Sequence, residues 1–364
     1  MARRDVPAVP GVLTAADVLR TGLSIARTQE ASGAIPWFAG GHVDPWDHVE
    51  SAMALSATGR LEEAEAAYDW SRTTQRADGS WPMKITAGRV DDAAADSNFC
   101  AYIAVGVWHH YMISGNIAFL ARMWPVVRDA IDFVLDLQAP RGEIGWARDA
   151  AGAPVPEALL TGCASIHHSL RCALALAERM VDPQPDWEVA LGRLAHVIEA
   201  HPEAFQAKSR YSMDWYYPVL GGVLRGAAGR IRIARRWSEF VVGGLGARCV
   251  NDHPWVTGAE TCELALALDT LGEVQAARGI FAAMQHLRER DGSYWTGLVF
   301  SDGKRWPVER TTWTGAAVVL AADALSRCTP GNGVFRAEGL PHGLAVDDSA
   351  CGCRLSGLAP RGDR

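Results

Sequence analysis

The unit that recurs about six times along these 364 residues is a long polar loop carrying Trp and a carboxylate, an apolar helix, a short Gly turn and an amphipathic helix. The clearest copy runs from Asp44 to Trp81. Asp44-Pro-Trp-Asp47 opens a helix, Gly59-Arg60 turns it, Leu61 to Gln75 returns, and Asp78-Gly79-Ser80-Trp81 closes the unit. One such hairpin cannot bury its inner face alone, so copies must stack into a ring or a solenoid. A ring would gather every Trp/carboxylate loop at one mouth.

Helical periodicity carries this reading along the chain. Leu61, Ala64 and Tyr68 share one stripe, as do Leu120, Met123, Val127, Ile131 and Val134, and later Val274, Ala277, Phe281, Met284 and Leu287. Between these one-faced helices lie segments apolar on most sides, such as 99–113, 170–177 and 316–325. The two kinds alternate, as concentric outer and inner rings require. The pattern predicts twelve helices, near 14–29, 46–58, 61–76, 96–114, 117–138, 163–180, 186–200, 214–227, 230–242, 258–270, 274–289 and 312–327. Paired, they make an all-α (α/α)6 toroid spanning 1–328 as one domain, with 329–364, rich in Gly and Pro, as a flexible tail. Strand-like alternation is confined to 294–300, in a loop hairpin.

Composition narrows the function. The formal net charge of −7 provides no global basic field for nucleic acid or an anionic membrane. The basic run Arg225 to Arg236 is spaced over a helix and reads as a solvated or ion-paired face. No apolar run reaches the roughly 18 residues of a membrane span, and no signal-peptide pattern follows Arg3-Arg4. Of eight cysteines, six lie in or beside apolar helices, and Cys351-Gly-Cys353 falls in the tail. A reducing cytoplasm fits them. The doublets His109-His110 and His167-His168 point about 100° apart on a helix and cannot chelate one ion well, so no metal or cofactor is expected.

Each long loop brings a carboxylate near an inner helix start, among them Asp44, Asp47, Asp96, Glu157, Asp214, Glu260 and Glu309. Trp46, Trp81, Trp146, Trp215, Trp255, Trp295 and Trp313 flank them. Such Asp residues can simply cap helices. A mouth lined by indoles and acids also suits sugar rings, because indoles cover apolar C–H faces while carboxylates accept hydroxyl hydrogen bonds. Glycoside cleavage needs two carboxyl groups flanking the scissile bond, one protonated and one ionised. Glu157, before Cys163, and Glu309, in Trp306-Pro-Val-Glu309-Arg-Thr-Thr-Trp313, are the expected pair, with His167 as a cavity partner.

The segments Trp46-Asp47 to Trp81, Trp255 to Trp295 and Trp306 to Ala317 resemble the six-hairpin glycosidase superfamily, nearest its glucoamylase-like enzymes. The resemblance implies an inverting hydrolase of a glycan or glycoside, with Asp47 holding sugar hydroxyls, Glu157 as general acid and Glu309 as general base. The family's acid commonly follows a Trp in a Trp-Glu pair. Here Trp146 precedes Ala147, so Glu157 is placed by loop position. Gln75-x-x-x-Gly79-x-Trp81 and the Arg310 to Ala317 segment are also similar to terpenoid cyclase and prenyltransferase toroids, implying a prenyl diphosphate or polyprene substrate instead. A non-catalytic toroid that binds a glycan or a protein partner is the third reading.

Overall fold

The computed structural model describes residues 5–344. Its helices begin with α1 (Ala15–Thr28), α2 (Pro45–Ala57), α3 (Leu61–Thr74), α4 (Ser97–Ala101), α5 (Ile103–Ser114) and α6 (Ile117–Leu135). They continue with α7 (Leu160–Met180), α8 (Pro185–Ala200), α9 (Ser212–Leu220), α10 (Gly226–Phe240), α11 (Gly258–Thr270), α12 (Val274–Ala283) and α13 (Thr312–Ser326). The boundaries follow local chemistry. Asp44 accepts from the Asp47 amide at 2.9 Å and Pro45 fills the first position of α2, while Gly115 in the left-handed region stops α5. The helix expected over 214–227 ends at Leu220, where Pro218 and the Gly221-Gly222 pair weaken it. That expected over 96–114 is parted at Tyr102 into α4 and α5.

Contacts run from α2 to α5, to α7, to α9, to α11, to α13 and back to α2. The inner circle therefore closes. Every residue of α2 is buried, and Gly258–Asp269 of α11 likewise. This is the burial that helices apolar on all sides demand. On the outside α3, α6, α8, α10 and α12 each pack on the helix that precedes them, and α1 packs on α13. The arrangement is consistent with a helical toroid. It is not purely helical, because three small antiparallel sheets lie in the connections. These are β1 (His42–Val43) with β2 (Lys84–Thr86) and β3 (Arg89–Asp92), and β4 (Ala95–Asp96) with β5 (Gly145–Arg148) and β6 (Pro154–Ala158). The third has five strands: β7 (Val241–Val242), β8 (Gly246–Arg248), β9 (Trp255–Thr257), β10 (Gly297–Val299) and β11 (Lys304–Arg305).

These strands all belong to connections that lead onto inner helices, and backbone bonds join the six connections in sequence. Pairing of β1 with β2 links the first to the second, and β4 with β5 the second to the third. Ala158 accepts from the Gln206 amide, and Ser212 donates to Cys249 O, each at 2.9 Å. Pairing of β9 with β10 comes next, and the Thr312 amide closes the circle on Trp37 O at 2.7 Å. One rim thus carries all six loops.

A second repeated device fixes the outer helices. After α1, α3 and α6, Gln29, Gln75 and Gln138 each donate Nε2 to the Gly four residues on and to a carbonyl of the next outer helix. Those glycines, Gly33, Gly79 and Gly142, have φ of +94°, +87° and +127°, and a Cβ on any of them would collide with that helix's backbone. After α12, Arg288 and Gly292 take the same places, with Arg288 paired to Asp17 of α1. The sequence displays this spacing at Gln75 most openly, because only there does a Trp complete it.

Thr329 to Leu344 does not hang free as the tail reading expects. Val334, Phe335 and Leu340 are buried in the main core, and Phe335 stacks on His168 at 5.6 Å. Residues 345–364, including Cys351 and Cys353, lie outside the described residues. Gly79→Ala should cost about 3 kcal/mol or more, combining left-handed strain with a backbone clash. Gly59→Ala, at φ +80° with open space around it, should cost only about 1 kcal/mol. Denaturant titration of the two variants checks the difference, and equal losses would contradict the packing role of Gly79.

Candidate active site

At the rim, the first turns of α2, α4, α7 and α13 surround a cavity of about 320 Å³. Asp44, Asp47 and Asp96 face Trp37, Trp46, Trp146 and Trp313 across it. Phe99, Ile144, Ile166 and Met213 supply an apolar wall. Trp46 stacks on Tyr102 at 4.5 Å and meets Trp313 edge-on at 6.1 Å, so the two indoles hold each other in place. Asp44 is engaged by the Trp37 indole N–H and the Asp47 amide. Asp96 caps α4 through the Phe99 amide at 3.0 Å.

Other polar atoms here have no protein partner although they are buried. They are Trp46 Nε1, Trp313 Nε1, Asp47 Oδ2 and Asn98 Oδ1 at the cavity, together with Glu50 Oε2 on α2 and Glu260 Oε2 on α11. Buried polar groups normally bond, so a cluster of exceptions marks a place that expects a ligand. Two are N–H donors and four are oxygen acceptors.

The carboxylates follow a pattern on the two helices flanking α13. Asp47 and Glu260 are the third residues of α2 and α11, and Glu50 and Glu263 the sixth. Spacing of three keeps each pair on one face. Asp47 and Glu260 are only 6% and 4% exposed. Burial first, then the charges of Asp44, Glu50 and Glu263, push the Asp47 carboxyl well above the usual range. Glu50 is raised for the same reasons, burial foremost and then Glu263. Glu263 accepts from the Tyr217 hydroxyl at 2.6 Å and from Tyr216, yet burial still lifts it to about 8. Asp47 at the mouth, and Glu50 and Glu263 one turn further into their helices, thus tend to hold their protons.

No family model matches the chain. The MMP endo-(1,4)-3-O-methyl-alpha-D-mannosidase of Mycolicibacterium hassiacum is 67% identical over 347 residues, covering 95% of this chain and 96% of the relative. The chain belongs to this mannosidase family. Solved structures at low identity share its fold. A glycosidase in complex with glucose superposes with TM-score 0.67 at 15% identity, covering 85% of this chain and 97% of the other. A D-mannose isomerase gives 0.66 at 8%, covering 86% and 96%.

Within this mannosidase family member, the residues expected from sequence divide into several groups. Asp44, Trp46, Asp47, Asp96, Trp146 and Trp313 meet at the mouth. Asp214, one residue from the lining Met213, accepts from Thr161, which also lines the mouth. Trp81 and Trp215 are framework: their indoles bond Ser71 O and Arg232 O, and Trp215 stacks on Phe240. Trp255 bonds Trp306 O within the rim sheet region. His167 lies away from the mouth, bonded to Gly221 O at 2.8 Å and lining a different cavity.

Neither member of the expected pair, Glu157 and Glu309, lines the mouth cavity. Glu157 is exposed on β6, next to the buried Ala158, and is not among the residues lining the cavity. Glu309 is half-buried in a separate hollow with Trp295, Asp291 and Arg310. Loop position alone could not say how Glu157 would sit on its strand or where the loop would carry Glu309. Sequence reasoning overlooked Asn98, Phe99, Glu50 and Glu263, although the three-residue spacing Asp47/Glu50 and Glu260/Glu263 was there to be read.

Asp96 yields a pH test. Burial lifts it to about 7, despite its bonds to the Phe99 and Asn98 amides. In the unfolded chain it ionises near its ordinary value of about 4, so the folded state binds more protons between about pH 4 and 7 and stability falls as pH rises through that window. Asp96→Asn keeps a capping oxygen and removes the loss. Its melting temperature should match wild type near pH 4 and exceed it at pH 8. A lower value at pH 8 would contradict the buried-acid assignment.

Proposed function

We propose that this chain is an endo-acting glycoside hydrolase on an (α/α)6 scaffold, cleaving α-(1,4) links between 3-O-methyl-mannose units. In this reading Asp47 is the general acid and Glu260 the general base. The observation that carries it is the mouth cavity, where a proton-holding Asp47 has a carboxyl oxygen free for substrate, in a chain 67% identical to a mannosidase so named. Hydrolysis requires a proton for the departing glycosidic oxygen and a base to activate water. Asp47 is held protonated by burial and by neighbouring acids, which fits the donor. Glu260, at the equivalent place on α11, brings a buried and unengaged carboxyl oxygen suited to water.

The remaining lining supports a methylated sugar. Trp46 and Trp313 offer indole N–H groups to oxygens, while Phe99, Ile144, Ile166 and Met213 give methoxy groups an apolar wall in place of water. Asp44, bonded to Trp37 and to the Asp47 amide, orients the acid and helps keep its proton. Glu157 and Glu309, the pair implied by the glucoamylase-like resemblance, are left without a catalytic part. The six cysteines among the described residues are all free, which agrees with a cytoplasmic setting.

Reducing-end assays on 3-O-methyl-mannan oligosaccharides test the assignment. Asp47→Asn and Glu260→Gln should each lower kcat by about 10²–10⁴-fold, with Glu157→Gln close to wild type. Activity of wild type should fall as pH rises through the Asp47 ionisation. Full activity in either single variant, or loss in Glu157→Gln, would overturn these catalytic roles.

A further inference from the structure

Beyond the C-terminal end of α9 lies a second cavity, about 550 Å³, between α7, α8 and the packed segment Thr329 to Leu344. Its chemistry is opposite to that of the mouth. Arg171 on α7 is only 5% exposed, and Arg225 is partly buried at the turn into α10. Both converge on one point. Arg225 Nη2 and Arg171 Nη1 lie within 3.4 Å of where a Gly222 side chain would begin, and Gly222, at φ +84°, has no side chain to hinder their approach.

Among the described residues neither guanidinium pairs with a carboxylate. Arg171 spends Nε and Nη2 on the carbonyls of Pro341 and Leu340, at 2.8 and 3.1 Å, which aims Nη1 toward Arg225. Arg225 has one long bond, 3.4 Å, to Phe335 O. Arg336, also at the wall, is neutralised by Asp269 and Glu338. Glu199, the carboxylate at this cavity, is exposed and already has a partner. Burial, and for Arg225 the neighbouring Arg171, depress both arginines, Arg225 to about 10. Two desolvated cations side by side without a counter-charge are costly, and an anion between them removes the cost.

We propose that this cavity is a binding site for a phosphate-bearing small molecule, held by Arg171 and Arg225 with His167 and His342 at its wall. Guanidinium forks match phosphate oxygens in pairs, and α10 starts at Gly226 directly after Arg225 with no side chain capping it, so its positive end adds to the field. The cavity is larger than a bare anion and of the size small-molecule sites occupy, which favours a phosphate monoester over free phosphate. The site is distinct from the mouth. The linings share no residue, and Ile166 faces the mouth where the adjacent His167 faces this cavity.

Calorimetric titration of the full chain with inorganic phosphate, glucose 6-phosphate and glucose tests this. Glucose 6-phosphate should bind with Kd below about 1 mM. Inorganic phosphate should bind more weakly, and glucose should give no signal that depends on Arg225. Arg225→Gln should weaken the ester about tenfold or more while leaving oligosaccharide hydrolysis unchanged. If that variant folds poorly, the imidazole resonances of His167 and His342 in wild type provide an independent readout. They should shift with the ester, and the Trp46 and Trp313 indole N–H signals should not. No binding of either phosphate at about 10 mM, ten times the expected limit, would overturn the proposal. So would binding that Arg225→Gln leaves unaltered, or shifts confined to the indoles.

Discussion

Backbone amides and carbonyls in long connections must bond to something, and here they bond to the neighbouring connection. Six loops entering six inner helices would otherwise be free to splay apart. Three small sheets and three sets of single backbone bonds join each to the next, until Thr312 returns to Trp37. A loop closed on both sides by its neighbours cannot move alone. That is why side chains as far apart in sequence as Trp46 and Trp313 keep a fixed edge-on contact. The Gln and Gly stitch beneath the outer helices has the same effect at the ring's circumference. Both circles are made of backbone geometry, so the lining can vary without loss of the frame.

On that frame the mouth carries an electrostatic arrangement that only burial allows. Asp47, Glu50, Glu260 and Glu263 lie on two inner helices at matching depths, and water between them would let all four ionise independently. Burial, and then their mutual repulsion, raise Asp47, Glu50 and Glu263 above the usual carboxylate range. Tyr216 and Tyr217 donate to Glu263 and partly offset that rise. The tryptophans at the rim exclude solvent and so maintain the condition on which the shifted acids depend.

How far the sequence discloses this depends on which physical signal each feature leaves. Helices leave a periodic one, so the six hairpins, the alternation of wet and buried helices and the loop-rich rim are legible in the chain alone. Caps leave a local one, and Asp44-Pro45 marks the start of α2 unambiguously. The sheets leave almost none, since strands of two to five residues such as His42–Val43 owe their form to partners distant in sequence. The same limit governs Glu157 and Glu309. Their loops are assignable, but which way each side chain faces is decided by strand register and loop path. Phe335 and Leu340 are hidden differently, as isolated apolar residues in a Gly- and Pro-rich stretch that fills the ring instead of continuing a helix.

The fold itself does not select the chemistry, since a glycosidase and a D-mannose isomerase superpose on this chain equally well at low identity. Selection comes from a few side chains at one rim. A hydrocarbon substrate would gain nothing from indole N–H groups and carboxyl oxygens left unbonded in a buried wall, and each would cost free energy. In the proposed reading a sugar would offset that cost by bonding them, and methyl ethers would fit the apolar wall opposite. The mouth combines both surfaces within one cavity, and the proposed methylated glycan rests on that combination.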